Sequence, residues 1–227
     1  GMANKVLAVV ARRVFTAFPQ VLARGQWVGN PLRAAFLVQG DPQTRFATRT
    51  GPLQVLVVGG SLGAKALNTV VPQALALLSA DQRPVVIHQS GEKQIDELRA
   101  NYAAAGIEAH LSVAGPSQDA KAPSGGSVVR EATSVGVTLT PFIEDTAQAF
   151  ADADLVICRA GASTVTELAA VGAASVLVPF PHAVDDHQTT NARFLADAGA
   201  GVLVPQSELT PAKLAGMLQK IERPALV

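Results

Sequence analysis

A chain of 227 residues with 18 Lys+Arg against 18 Asp+Glu has no net charge to draw it to nucleic acid or anionic lipid. At 4% aromatic residues it also lacks the rings that stacking-based nucleic-acid recognition needs. A single cysteine excludes an internal disulfide framework or a cysteine-rich metal cluster, and no apolar run reaches the ~18 residues of a membrane span.

At 48% hydrophobic the chain can bury a sizeable core, as one large domain or one domain plus a fragment. The lone cysteine fits a reducing compartment, and the basic, amphipathic opening shows no signal-peptide cleavage site. Residues 1–11 place Leu7, Val10 and Ala11 at helical spacing, and residues 14–18 read as a strand stopped by Pro19. Residues 27–33 read as a turn-forming crossover carrying Arg33, and residues 34–50 as a polar, irregular loop or linker. This opening reads as the end of a unit that begins further upstream.

Residues 54–58 form a strand that runs into Gly59-Gly60-Ser61-Leu62-Gly63-Ala64-Lys65 and then a helix through Leu78. Gly60 allows a tight turn, Gly63 allows close approach, and Ser61 can donate to a phosphate. The spacing is neither GxxxxGK[ST] nor GxGxxG, so a plain βα turn and a phosphate loop both stand. Residues 84–88 are the next strand, and Gln89-Ser90-Gly91-Glu92 caps a helix to about Ala105. His88 at that strand end reads as a core hydrogen-bonding group rather than a cleft residue. A strand near 107–113 gives way to residues 114–134, rich in Gly, Pro, Ser and Ala without periodicity, expected as a flexible insertion. A strand at 137–140, a loop at 141–145 and a helix at 146–153 follow.

Residues 154–191 organise the rest. Leu155-Val156-Ile157-Cys158 is a short buried strand, with Cys158 read as core rather than nucleophile. A small-residue turn, Arg159 to Thr164, opens a helix that carries Glu167 in its first turns and ends at Gly172. A second buried strand at 175–178 ends in Pro179-Phe180-Pro181, and a polar loop leads into another helix. A last strand at 201–204 precedes a helix that starts at Thr210-Pro211. Strands alternating with helices about six times imply an α/β fold: a Rossmann-like parallel sheet of about six strands with helices on both faces. Its polar residues gather where strands end and helices begin, the edge at which such sheets bind ligands. A helix opened by Gly161-Ala162-Ser163-Thr164 suits a phosphate, Glu167 can accept from ribose hydroxyls, and Asp185, Asp186, His187, Gln188 and Asn191 offer groups for a sugar. Tight packing explains the small residues equally, and a solvated helix face explains the glutamate.

Taken together, GNPLR (29–33), GGSLGAKALN (59–68), PFIED (141–145), CRAGASTVTELAAVG (158–172) and VPFPHAVDDHQTTNA (178–192) resemble the MurG family of bacterial glycosyltransferases. The resemblance covers nearly the whole chain. It implies a GT-B fold, two Rossmann-like domains facing across a cleft. Residues 1–50 would be the tail of the N-terminal domain and the interdomain linker, and residues 51–227 the C-terminal domain that binds UDP-GlcNAc. It further implies inverting transfer of GlcNAc from UDP-GlcNAc to lipid I, giving lipid II for peptidoglycan, without metal or cofactor.

Carried over by motif, Glu167 would hold the ribose hydroxyls and the Ile143 backbone the uracil edge. Gly60, Ser61 and Gly63 would lie near the diphosphate, beside the helix start at Gly161, Ala162, Ser163 and Thr164. Arg33 would approach the nucleotide, and Asp186, His187 and Gln188 would face the GlcNAc. No catalytic residue is assigned here: base and acceptor site would belong to the N-terminal domain. Lipid I, cell-wall synthesis proteins and a peripheral place on the cytoplasmic face of the inner membrane are implied for the full enzyme, with no nucleic-acid partner. A free-standing donor subunit serving a separate acceptor protein, or another UDP-sugar enzyme such as an epimerase or a glycolipid glucosyltransferase, are the competing readings.

Overall fold

Aliphatic runs bounded by glycine, proline and polar turns become the strands of a computed structural model that describes residues 2–19, 21–60, 64–112, 136–181, 183 and 186–226. Ser61, Leu62 and Gly63, the expected insertion at 114–134, His182 and Asp185 lie outside the described residues.

The opening holds helix α1 (Met2–Val10) and a parallel pair, β1 (Val14–Thr16) and β2 (Gly25–Trp27). Trp27, expected in a turn, instead closes β2 opposite Thr16, and its indole N–H donates to the Ala17 carbonyl at 3.1 Å. The expectation of an irregular linker at 34–50 is likewise corrected: helices α2 (Ala34–Leu37) and α3 (Pro42–Ala47) occupy it. Asp41 caps α3, accepting from Thr44 N–H at 3.0 Å with Pro42 at the first helical position. Phe36 and Phe46 are the buried anchors of this stretch, while Leu37 and Val38 stay exposed. Elements of four and six residues are too short to display a helical period, so the signal was in caps and single aromatics.

The main sheet follows in chain order. Its parts are β3 (Gln54–Val58), α4 (Lys65–Ala76), β4 (Val85–Gln89), α5 (Ile95–Ala104), β5 (Ala109–Leu111) and β6 (Val137–Thr140). Then come α6 (Thr146–Asp152), β7 (Leu155–Cys158), α7 (Ala162–Val171), β8 (Ser175–Leu177), α8 (His187–Ala196), β9 (Gly201–Leu203) and α9 (Pro211–Lys220). Among the described residues seven parallel strands lie in the order β5-β6-β4-β3-β7-β8-β9, with helices on both faces as expected. Period-2 alternation splits the core: Val55 and Val57 join Leu67, Tyr102 and Leu214 on one face, while Leu56 joins Phe36, Phe150 and Leu168 on the other. All four residues of β7 are buried, as a central strand covered by helices on both faces requires.

Two devices fix the frame. Gly172 ends α7 in the left-handed region, φ 65°, where its N–H and that of Ala173 reach back to the Ala169 and Leu168 carbonyls. Below β7, the fully buried Asp154 carboxylate accepts from Arg49 at 2.7 Å, Arg223 at 2.9 Å and the Gln54 backbone N–H at 2.8 Å. Burial pushes that carboxyl up, but these donors outweigh it and hold it below the ordinary carboxylate range.

The strand order also makes a crevice. From β3 the chain moves to β4 on one side, and from β7 it moves to β8 on the other. Between the C-terminal ends of β3 and β7 the connections diverge, which is where open α/β sheets receive ligands.

Candidate functional site

Gly59–Gly60 after β3 and 159–161 after β7 flank this crevice, and the loop 141–145 follows β6 at the same sheet edge, with β4 between β6 and β3. Gly60 sits at φ 80°, a conformation that side chains rarely adopt, so this turn needs glycine. The Pro141–Ile143 loop is braced by the Thr140 hydroxyl, which donates to the Phe142 carbonyl at 2.6 Å, and Asp145 caps α6 by accepting from Gln148 N–H at 2.9 Å. Ile143 packs its side chain against the core, which leaves its main chain at the loop.

Helix α7 begins without a side-chain cap. Its first intrahelical acceptor, the Gly161 carbonyl, serves Val165 N–H, so the N–H groups of Ala162, Ser163 and Thr164 have no intrahelical acceptor and mark the positive end of the helix dipole. Ala162 and Ser163 are exposed. Asn30 ties the upstream chain to this helix, donating to Thr166 Oγ1 at 2.9 Å and to the Ala162 carbonyl at 3.3 Å. That tether sets Arg33 over the Phe36 ring and 3.6 Å from the Glu167 carboxylate. Arg33 is mostly exposed while Glu167 is mostly covered, so the pair contributes only about 0–1 kcal/mol to stability and leaves the carboxylate free to exchange partners.

On the far side, the Asp186 backbone is left-handed at φ 48°, and its carboxylate accepts from the Thr189 hydroxyl at 2.6 Å. His187 starts α8 and is exposed. Gln188 Oε1 accepts from Phe180 N–H at 2.9 Å, which leaves its amide nitrogen to donate elsewhere. Buried Asn191 donates to the Ala160 carbonyl at 3.1 Å, holding the turn before α7.

The structure thus brings Arg33 to Glu167, sets both beside the opening of α7, and places Gly60, Ile143, Asp186, His187 and Gln188 on loops and helix starts at the same sheet edge. Ser61 and Gly63 lie outside the described residues. Cys158 is core, burial pushing its thiol up to about 12. His88 is core too, bonded to Tyr102 and Asn68. A cavity of about 210 Å³ opens at the opposite edge, between Pro52, Arg83 and Leu218. Arg83 Nε there donates to the Leu75 and Leu78 carbonyls at 3.1 and 3.2 Å.

Arg159 and Gln89 were not singled out from sequence. Arg159 donates to the Val178 and Pro179 carbonyls at 3.1 and 3.2 Å and to Gln206 at 2.7 Å, and its guanidinium lies near the Phe180 ring. Burial lowers its pKa, and the bonds brace the loop that carries Phe180. A charged residue immediately after a fully apolar strand was the available signal.

The family model for the glycosyltransferase family 28 C-terminal domain matches residues 54–227. The chain is 64% identical over its whole length to a UDP-N-acetylglucosamine--N-acetylmuramyl-(pentapeptide) pyrophosphoryl-undecaprenol N-acetylglucosamine transferase of Paracidovorax citrulli, covering 56% of that protein. It is 63% identical to the transferase of the same name from Polaromonas sp., covering 51% of it. The chain therefore spans about half the length of these curated relatives. The crystal structure of Acinetobacter baumannii MurG is similar over the whole chain and 56% of its own length, with 38% identity and a TM-score of 0.73. The glycotransferase of kitacinnamycin shares the fold, at 17% identity and a TM-score of 0.54.

Proposed function

Because the chain belongs to the glycosyltransferase family 28 C-terminal domain family, we propose that it is the nucleotide-sugar-binding half of a transferase that moves GlcNAc from UDP-GlcNAc to lipid I. The observation that carries this is the convergence at the sheet's switch point: Glu167, one turn into an uncapped helix, with Arg33 at 3.6 Å. The relatives' names supply the substrates.

In this reading Glu167 accepts from the ribose hydroxyls and the Ile143 main chain meets the uracil edge. Gly60, Ser61, Gly63 and the first-turn N–H groups of α7 surround the diphosphate. The acceptor oxygen bonds to the anomeric carbon as the bond to the diphosphate oxygen breaks, and negative charge builds on the leaving UDP. The dipole end of α7 and Arg33 stabilise that charge. Asp186, His187 and the Gln188 amide hold the sugar. The acceptor hydroxyl gives its proton to a base outside this chain, so the 227 residues alone bind donor without transferring it. An undecaprenol-linked acceptor keeps the whole enzyme at the inner face of the bacterial membrane.

Calorimetry tests the binding half. The chain should bind UDP and UDP-GlcNAc at micromolar to millimolar levels, about 4–8 kcal/mol. Glu167→Ala should weaken UDP by about 1.5–3 kcal/mol, roughly 10- to 150-fold, with folding unchanged. The loss should be smaller for 2′-deoxy-UDP. No heat with saturating UDP, or equal losses for the two nucleotides, would overturn the reading.

A further inference from the structure

Gln89 is the last residue of β4, in register with Val58 of β3 on one side and Thr140 of β6 on the other. Both neighbouring strands feed loops of the candidate site. The Gln89 side chain is buried, and its amide is engaged at both ends. Oε1 accepts from Gly60 N–H at 3.0 Å, while Nε2 donates to the Gly60 carbonyl at 3.2 Å and to the Pro141 carbonyl at 3.0 Å. A primary amide can do this because it carries an acceptor and two donors in one plane. The left-handed Gly60 backbone turns both of its polar groups towards that amide. The Gly59 N–H, bonded to the Gln89 carbonyl at 3.1 Å, and the Ser90 N–H, bonded to the Thr140 carbonyl at 3.1 Å, carry the ladder one step past the strand ends.

We propose that Gln89 is a positioning residue that fixes the spacing between the Gly60 turn and the loop after Pro141, so that a nucleoside diphosphate meets both at once. This rests on the reading of the edge as a uridine-diphosphate site. Gln89 itself touches no ligand. A ligand bridging two loops gains from their fixed separation, because ordering them need not happen on binding. A ligand touching only the base-side loop gains little.

The test compares UDP, which spans both loops, with uridine, which reaches only the base side. In Gln89→Glu, one carboxylate oxygen still accepts from Gly60 N–H, but the other faces two carbonyl oxygens without a proton to share. In Gln89→Met the three bonds vanish at nearly constant length. Both variants should bind UDP about 10- to 100-fold more weakly and uridine less than about threefold more weakly. Parallel losses for both ligands, or unchanged UDP affinity, would overturn the proposal.

Amide exchange on the wild-type chain provides an arm that does not depend on the variants folding. The Gly60 N–H and the Gln89 side-chain amide protons should exchange slowly without nucleotide, and fast exchange at both would overturn the clamp. Wild-type chain that binds neither UDP nor uridine would instead overturn the function reading, and the positioning role with it.

Discussion

Acidification should weaken this fold through one buried histidine. His88 is fully buried, Nε2 at 3.1 Å from Asn68 Oδ1 and Nδ1 at 3.0 Å from the Tyr102 hydroxyl. The Asn68 amide nitrogen donates to Gln94 at 2.9 Å, so its Oδ1 is left to accept. Nε2 therefore carries the imidazole proton, and Nδ1 accepts from Tyr102. Burial pulls the His88 pKa from 6.5 down to about 3. A depressed folded-state pKa means the unfolded chain binds the proton first. Stability is then fully present above 6.5 and drains away as pH falls towards about 3. From about pH 7 to about pH 4.5 the loss from this group is about 2–3 kcal/mol, a large share of a stability of about 5–15 kcal/mol. Urea unfolding of wild type and His88→Gln across this range is the assay. The non-titrating variant should start less stable, and the gap should narrow by about 2–3 kcal/mol on acidification. The His88 ring resonances of the wild type should keep the neutral pattern down to about pH 4.5. A gap that stays constant to within about 0.5 kcal/mol, or a ring that titrates near its ordinary value, would refute the reasoning.

Asp154→Asn should cost about 3–5 kcal/mol in chemical denaturation, because it strands Arg49 and Arg223 around a neutral group; a cost below about 1 kcal/mol would show that the network is dispensable. The Asp154 contribution is present at neutral pH and is lost only as pH falls below the usual carboxylate range, since its folded-state pKa is lowered. Gly172→Ala should lower stability by about 2–3 kcal/mol, because the position is left-handed and the new methyl would overlap Pro42 of α3. An unchanged melting temperature would mean that α3 does not rest on the end of α7. Cys158 should resist a thiol reagent in the native chain at neutral pH and react once the chain is unfolded, and rapid native labelling would place the sulfur at the surface.

Strand content was legible because β3, β4, β7 and β8 each centre on a short apolar run, rich in β-branched residues and bounded by polar residues, glycine or proline. The placement of Arg33 and Glu167 at one nucleotide site was expected only from motif resemblance, and their direct pairing was not expected, since 134 positions separate them and no local rule links them. Short elements were the main loss. Phe36 and Phe46 anchor α2 and α3, but helices of four and six residues are too short to show a periodic signal. Gln89 was hidden for a different reason. Read as the start of a helix, it is the end of a strand, and its importance lies in two carbonyls and one N–H that belong to loops at residues 60 and 141. Backbone partners of this kind leave no trace in residue types.

The pairing of β3 with β7 also sets a timetable for synthesis. Val55 lies opposite Leu155, so at about 5–20 residues per second β3 waits roughly 5–20 s on the ribosome before its second neighbour is made. During that interval β3 can pair with β4 but keeps an open, aliphatic edge, the kind of surface that invites holdase chaperones and mispairing. The crevice that carries the candidate site has no counterpart in any shorter nascent chain. It comes into being only when β7 docks, and Glu167, Asp186, His187 and Gln188 follow β7 in the chain, so the candidate site is assembled late in synthesis.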